Sequence, residues 1–80
     1  MNKYNIVLKP EDEQVYIAKT TTDSDLLDIL ANSDSVLVRM TVLSNPAVST
    51  STINRKIGDE ERDVWQKAQK LLDAQKRKVG

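Results

Sequence analysis

Neither cysteine nor histidine occurs anywhere in the chain, and each absence removes a block of chemistry. Without cysteine there can be no disulfide, thiolate metal site, iron–sulfur ligand or sulfur nucleophile. Without histidine the commonest general base, and the usual partner of a serine nucleophile, is gone. A metal site would rest on carboxylates alone, which favour hard ions such as magnesium or calcium. Asp23, Asp25 and Asp28 lack the spacing and the closing glutamate of a calcium loop. Gly58 and Gly80 are the only glycines, so no glycine-rich phosphate cradle can form. Phenylalanine is missing as well, and Tyr4, Tyr16 and Trp65 are too few to build a base-stacking platform. No apolar run resembles a signal peptide or approaches the roughly 20 residues that span a membrane. These absences read as a cytoplasmic protein with no membrane association, no cofactor and no enzymatic activity.

What remains is 80 residues, enough for one domain. A chain of that size buries only about 60% of the surface it exposes when unfolded, so the core must be small. Its formal net charge of zero hides a polarity along the chain. Residues 1–38 carry three basic and seven acidic residues, a net −4, whereas residues 39–80 carry nine basic and five acidic residues, a net +4. Such a dipole can steer an encounter with a charged partner, although a solvated charged surface is also what any small helical protein needs.

The hydrophobic pattern is helical almost throughout. Residues 1–9 hold the triplet Ile6, Val7 and Leu8, too little for a sheet, and read as an extended lead-in packed on helices. Pro10 suits a first helical position, and Glu11, Asp12 and Glu13 put negative charge where a helix start favours it. A helix from about Pro10 to Lys19 should bury Val15 with Ile17 or Ala18. Thr22, three residues before Asp25, resembles a capping box for a helix carrying Leu26, Leu27, Ile29 and Leu30. Ser33 is placed to cap the next helix, over 34–44, whose Val36, Leu37, Met40, Val42 and Leu43 leave few polar sides and mark it as central. Asn45-Pro46 ends that helix, because proline lacks an amide hydrogen and clashes with a preceding helical turn. Serines and threonines at 49–52 then cap a short helix with Ile53 and Ile57, closed by Gly58 in the left-handed conformation. Asp59 caps the last helix, whose stripe is Val64, Trp65, Ala68, Leu71 and Leu72, and the tail 78–80 should fray.

Sliding the chain against itself by 26 residues gives a gapless register, with Leu27 on Ile53, Ala31 on Ile57, Ser33 on Asp59 and Val38 on Val64. A period of this kind points to stacked helical repeats. Within it, "SDSVLVRMTVLSNPAVSTSTI" resembles the variant leucine-rich repeat, a helical relative of the HEAT and armadillo repeats. Asp34, Val38, Arg39, Val42, Asn45 and Pro46 match its turn, Val-Arg pair, aliphatic run and Asn-Pro, as do the short helix at 50–57 and Asp59. The match covers about residues 20–68 as two imperfect units; the second has Trp65 where arginine would stand and no second Asn-Pro. The resemblance implies an all-α fold, a short stack of about five antiparallel helices in a HEAT-like superhelix or a compact bundle. It also implies a binding scaffold, not an enzyme. Members can carry an iron–sulfur cluster on a separate segment, which a chain without cysteine cannot.

Candidate contact residues are few. Arg39 sits inside an apolar helix and could meet a partner's carboxylate, or tie internally to Asp34, to Asp59 or to helix-end carbonyls. Trp65 suits either a core or an interface. The acids Glu11, Asp12, Glu13, Asp25 and Asp28 could imitate nucleic-acid charge or contact a basic partner, and Arg62 would join Trp65 on the last helix. The basic residues of the C-terminal half could face phosphates, but acids are interleaved with them and nucleic-acid domains usually carry a clear positive excess. The expectation is a small adaptor or inhibitor acting on a protein partner, in the style of a bacteriophage or mobile-element protein that blocks a host factor. The alternative is a nucleic-acid-associated regulator using the basic C-terminal half. The molecule would be a monomer, or a weak homodimer through Val64, Ala68, Leu71 and Leu72.

Overall fold

The computed structural model describes residues 3–79, with side chains through Lys76. Five α-helices follow a short 3₁₀ helix over Lys3–Leu8: α1 (Glu11–Thr20), α2 (Ser24–Leu30), α3 (Val36–Ser44), α4 (Thr50–Lys56) and α5 (Arg62–Val79). No strand occurs among the described residues, so the chain is all-α, as the periodicity requires. Consecutive helices alternate between two layers. α1, α3 and α5 pack side by side in one layer; the 3₁₀ helix, α2 and α4 form the other. The stack measures 42 × 24 × 16 Å.

Two apolar clusters hold it together, one for each pair of neighbouring long helices. The first joins Ile6, Ala18, Leu27, Leu30, Val38 and Val42 between α1, α2 and α3. The second joins Leu43, Ile53, Val64, Ala68 and Leu72 between α3, α4 and α5. α3 contributes to both, which is why its sequence is apolar on most sides. The stripe Val64, Ala68 and Leu72, expected to pair two copies of the chain, is therefore spent inside one copy.

The 26-residue register survives in the elements themselves. α2 begins at Ser24 and α4 at Thr50, α3 at Val36 and α5 at Arg62, and the N-caps Asp23 and Ser49 keep the same offset.

Several local expectations change. The N-terminal segment is not extended: a 3₁₀ helix turns Ile6 into the core and leaves Tyr4 and Leu8 exposed. Gln14 fixes it there, its Nε2 donating to the carbonyls of Val7 at 3.1 Å and Lys9 at 2.6 Å. For that reason α1 buries Gln14 with Ala18, while Val15 and Ile17 stay half-buried. Met1, Asn2 and Gly80 lie outside the described residues, and the backbone of α5 runs to Val79 through most of the tail expected to fray. Asp23, not Thr22, caps α2, accepting from the Asp25 amide at 2.9 Å. Ser35, not Ser33, caps α3 by accepting from the Val38 amide, while Ser33 accepts from the Ser35 amide and turns the chain into that cap.

Gly58 also departs from expectation, since no glycine among the described residues has a positive φ. α4 closes by tightening: the amides of Ile57, Gly58 and Asp59 donate three residues back, to Asn54, Arg55 and Lys56. A Cβ at position 58 would meet only the Arg55 carbonyl, at an ordinary 3.7 Å. Gly58→Ala should therefore be tolerated, changing stability by less than about 1 kcal/mol, in the stabilising direction because alanine narrows the unfolded ensemble. Thermal unfolding of the two proteins checks this; a drop of several degrees would show that the turn does need glycine.

Candidate interaction surface

Three side chains tie distant parts of the stack together, and their geometry decides which polar groups remain for a partner. Arg39, on α3, donates from Nε to Asp59 Oδ2 at 2.9 Å and from Nη2 to Asp59 Oδ1 at 3.3 Å, a two-pronged pairing of the kind that suits a planar guanidinium. Its Nη1 donates to the Ser33 carbonyl at 2.8 Å. Ser33 and Asp59 are equivalent positions of the two units, so one side chain clamps both turns. Asn45 plays a similar part at the other end of α3: its Nδ2 donates to the carbonyls of Ala18 and Thr21, each at 2.8 Å, closing α1 with a side chain 24 or more residues away. Its Oδ1 accepts from the Ala47 amide. Asp28 links α2 to α4, accepting from Thr52 Oγ1 at 2.8 Å and pairing with Arg55.

Asp59 is the most heavily bonded of these groups. Its side chain is 5% exposed, and it also accepts from the Glu61 amide and lies 3.7 Å from Lys56 Nζ. Burial by itself would raise its pKa, but the Glu61 amide, then Arg39 and Lys56, outweigh burial and hold the carboxyl below the usual carboxylate range. Burial pushes Lys56 the other way from its ordinary state, lowering its pKa against the opposing pull of Asp59. A polar cleft of about 400 Å³ opens beside the cluster, but Asp34 and Glu60 line it together with Lys56, so it favours no single sign of charge.

These ties reassign several of the residues that the sequence offers to a partner. Arg39 is 8% exposed and turned inward, because Asp59 and the Ser33 carbonyl take its donors. Asp28 is half-buried in the α2–α4 tie. Asp25 is exposed but paired with Lys3, Glu13 is paired with Lys9, and Glu11 accepts from Ser35 Oγ. Asp12 is exposed, engaged only with the amide of its neighbour Glu13. Arg62 and Trp65 are exposed on α5. The structure does not gather the set at one place: the α1 acids and the α5 pair lie on opposite sides of α3, at the two ends of the stack.

The C-terminal end is best understood by laying unit two on unit one. Positions that unit two covers in unit one are left open in unit two itself, and there the sequence turns polar. Buried Leu43 becomes Gln69, and half-buried Val36 becomes exposed Arg62. This is how a helical stack ends, with a polar face that invites no further unit. Two positions break the rule: Ala31 becomes Ile57, half-buried, and the buried Arg39 becomes Trp65, 38% exposed. Periodicity places Ile57 in the short fourth helix and on Ala31 in the register, not at the surface, and does not single out Gln69, although the 26-residue register sets it on Leu43. At the other end, Tyr16 is 67% exposed and shares a shallow cleft of about 350 Å³ with Asp12, Glu13 and Ile17.

No helix among the described residues is long and apolar enough to cross a membrane, and no group of three or more acidic residues among them is placed to hold a metal ion. Compared with family models, with curated proteins and with solved structures, the chain matches none.

Removing one partner of the buried pair should be costly while removing both should not. Arg39→Met is expected to lose about 3–5 kcal/mol, since it strands a buried carboxylate, and adding Asp59→Asn to it should recover much of that loss. Urea denaturation of the single and double variants measures both. The pH dependence has a definite sign. A carboxyl whose pKa is lower in the folded state contributes stability that is complete above its unfolded value, 3.8, and is lost as pH falls below it toward the folded value. The native protein should lose stability over that acid range more steeply than Asp59→Asn; equal slopes would mean that Asp59 is not specially held.

Proposed function

We propose that this chain is a small protein-binding module, an adaptor or inhibitor, that presents the two end faces of a two-unit helical stack to a partner protein. The observation that carries this reading is Trp65. At the end of the stack, where neighbouring equivalents of covered residues have become Arg62 and Gln69, a tryptophan stands in place of the buried arginine and remains more than a third exposed. Exposed tryptophan flanked by arginine is the composition of binding hot spots. Trp65, Gln69, Leu72 and Lys76 follow one another at helical spacing, and the last three line a groove of about 480 Å³ between α4 and α5 together with Ile57. The family resemblance, a helical-repeat binding scaffold, and an origin in a bacteriophage or mobile element agree with this reading and remain part of the proposal.

The reading places no chemistry in the chain. Its buried and half-buried charged groups, Asp28, Arg39, Lys56 and Asp59, are engaged in ties, and it has no histidine or cysteine to activate. The basic residues Arg62, Lys70 and Lys76 are the surface that a nucleic acid would use, on the alternative reading.

Affinity capture from a bacterial lysate, with and without nuclease, tests the proposal, using the native protein beside Trp65→Ala. One protein retained in both conditions, and reduced about tenfold or more by Trp65→Ala, is the expected result, a change of about 1.4 kcal/mol or more in binding. Retention that disappears with nuclease would give the surface to nucleic acid. Retention untouched by Trp65→Ala would move the contact off this end of the stack.

A further inference from the structure

Gln14, Arg39 and Trp65 hold the same place, each the fourth residue of a long helix, in α1, α3 and α5. The first two do related work. Arg39 donates backwards to the Ser33 carbonyl, in the turn before its own helix, and forwards to Asp59, in the turn before the next. Gln14 makes only the backward half: its Nε2 donates to the carbonyls of Val7 and Lys9, and its Oε1, though buried, accepts from no protein group among the described residues. The clamp on the first turn is thus neutral and one-sided, whereas that on the second is charged and two-sided, and charge-assisted hydrogen bonds are about twice as strong as neutral ones. The segment that Gln14 holds is otherwise lightly anchored. Among residues 3–8 only Ile6 is buried, and Leu8 is 80% exposed. A 3₁₀ run of six residues exceeds the usual length of about three or four for that geometry, whose hydrogen bonds are poorly aligned. Lys3 reaches Asp25 at 3.6 Å, but both side chains face solvent, where such a pair contributes little. Pro10 joins the segment to α1 in an extended conformation, and it has no amide hydrogen to bond across the junction.

We propose that Lys3–Leu8 is a strap latched by Gln14, which swings off α2 as a unit about Pro10 while α1 to α5 stay folded. The protein then has two states, one with the apolar side of α2 covered and one with it open. In the closed state the strap lies on α2, and Ile6 enters the cluster of Ala18, Leu27 and Leu30 with half-buried Val7 and Leu26 at its edge. Opening lifts Ile6 and Val7 away and gives that side of the cluster to solvent. Two features limit what this costs. Gln14 Oε1 meets water once the strap has left, which recovers the hydrogen bond that no protein group supplies in the closed state. The second cluster and the Arg39 clamp take no part in the strap, so the packing of α3 against α5 is left as it was. Burial of Ile6 favours the closed state; hydration of Gln14 and the freedom regained by six residues favour the open one.

Native-state hydrogen exchange followed by NMR tests this on the unmodified chain. The amides of Ile6, Val7, Leu8 and Lys9 should share one protection, about a hundredfold or more below that of the α3 amides, and low urea should barely change it while protection in α3 falls. Graded protection that climbs residue by residue along the segment would mean fraying, and protection equal to that of α3 would mean that strap and helices open together; either result overturns the proposal. Ile6→Ala combined with Gln14→Met removes anchor and latch at once, and neither substitution touches a contact that the open state keeps. This double variant should lose all protection at residues 6–9, keep its helical circular dichroism and its protected α3 amides, and bind a hydrophobic dye more strongly than the native chain does. Helices that unfold in the double variant overturn the proposal, because they would then depend on the strap. So does a strap that stays protected, or an unprotected strap without added dye binding, since no apolar face would have been uncovered.

Discussion

The buried pairing of Arg39 with Asp59 is the constraint on which the arrangement of the other parts depends. α3 belongs to both apolar clusters, but apolar packing alone is non-directional and would let two short units slide over one another. A guanidinium that must satisfy a carboxylate and the Ser33 carbonyl at once has one acceptable placement. It fixes the turn before α3 against the turn before α5, and with them the helices those turns begin. The energetic return from such a pair is small once the loss of hydration is counted, and a well-packed apolar substitute can do as well. What the pair supplies is uniqueness of arrangement, which an 80-residue chain with a limited core needs more than a larger one does. Asn45 and Asp28 repeat the logic at two further places, each reaching across at least 24 residues to close something that local sequence leaves open.

Seen this way the stack has an inside and two outsides. Between the units, side chains are apolar or are polar groups with assigned partners. At the C-terminal outside the same structural positions are occupied by Arg62 and Gln69, which solvent can satisfy. Exposed Trp65 and half-buried Ile57 are exceptions to that trend, and a lone exception on an otherwise polar end would be unremarkable. They matter because both lie in the last unit of the stack, where Arg62 is exposed on the same helix as Trp65.

Much of this was legible in the sequence. The all-α class, the order of the helices, the central place of residues 36–44 and the stop at Asn45-Pro46 follow from periodicity and from what proline forbids. The 26-residue register, read with hardly any identity to support it, recurs in the helix starts. The caps were less legible because capping residues come in runs: Thr21, Thr22 and Asp23 all can accept an amide, as can Ser33, Asp34 and Ser35, and the path of the turn chooses among them. The N-terminal triplet Ile6-Val7-Leu8 is too short to carry a period, and its conformation is decided by Gln14, a polar residue that pattern reading assigns to the surface. Arg39 could be marked as unusual but not aimed, since Asp59 is 20 residues away and both an internal and an external carboxylate would suit it. The candidate site suffered most from this: residues that look available to a partner turn out to hold the protein together, and those left over are known only once the ties are counted.

The backbone has no residue in the left-handed region among those described. Every turn is made from right-handed and extended conformations, with the amide groups satisfied by side chains of the serine, aspartate and asparagine kind. No position is thereby reserved for glycine, and most positions ask only for apolar, polar or cap-forming character. A fold specified by such broad classes tolerates extensive drift in its letters. Two descendants of one ancestor could keep this path of the chain, the clamp at Arg39 and the closure at Asn45, and share few other residues.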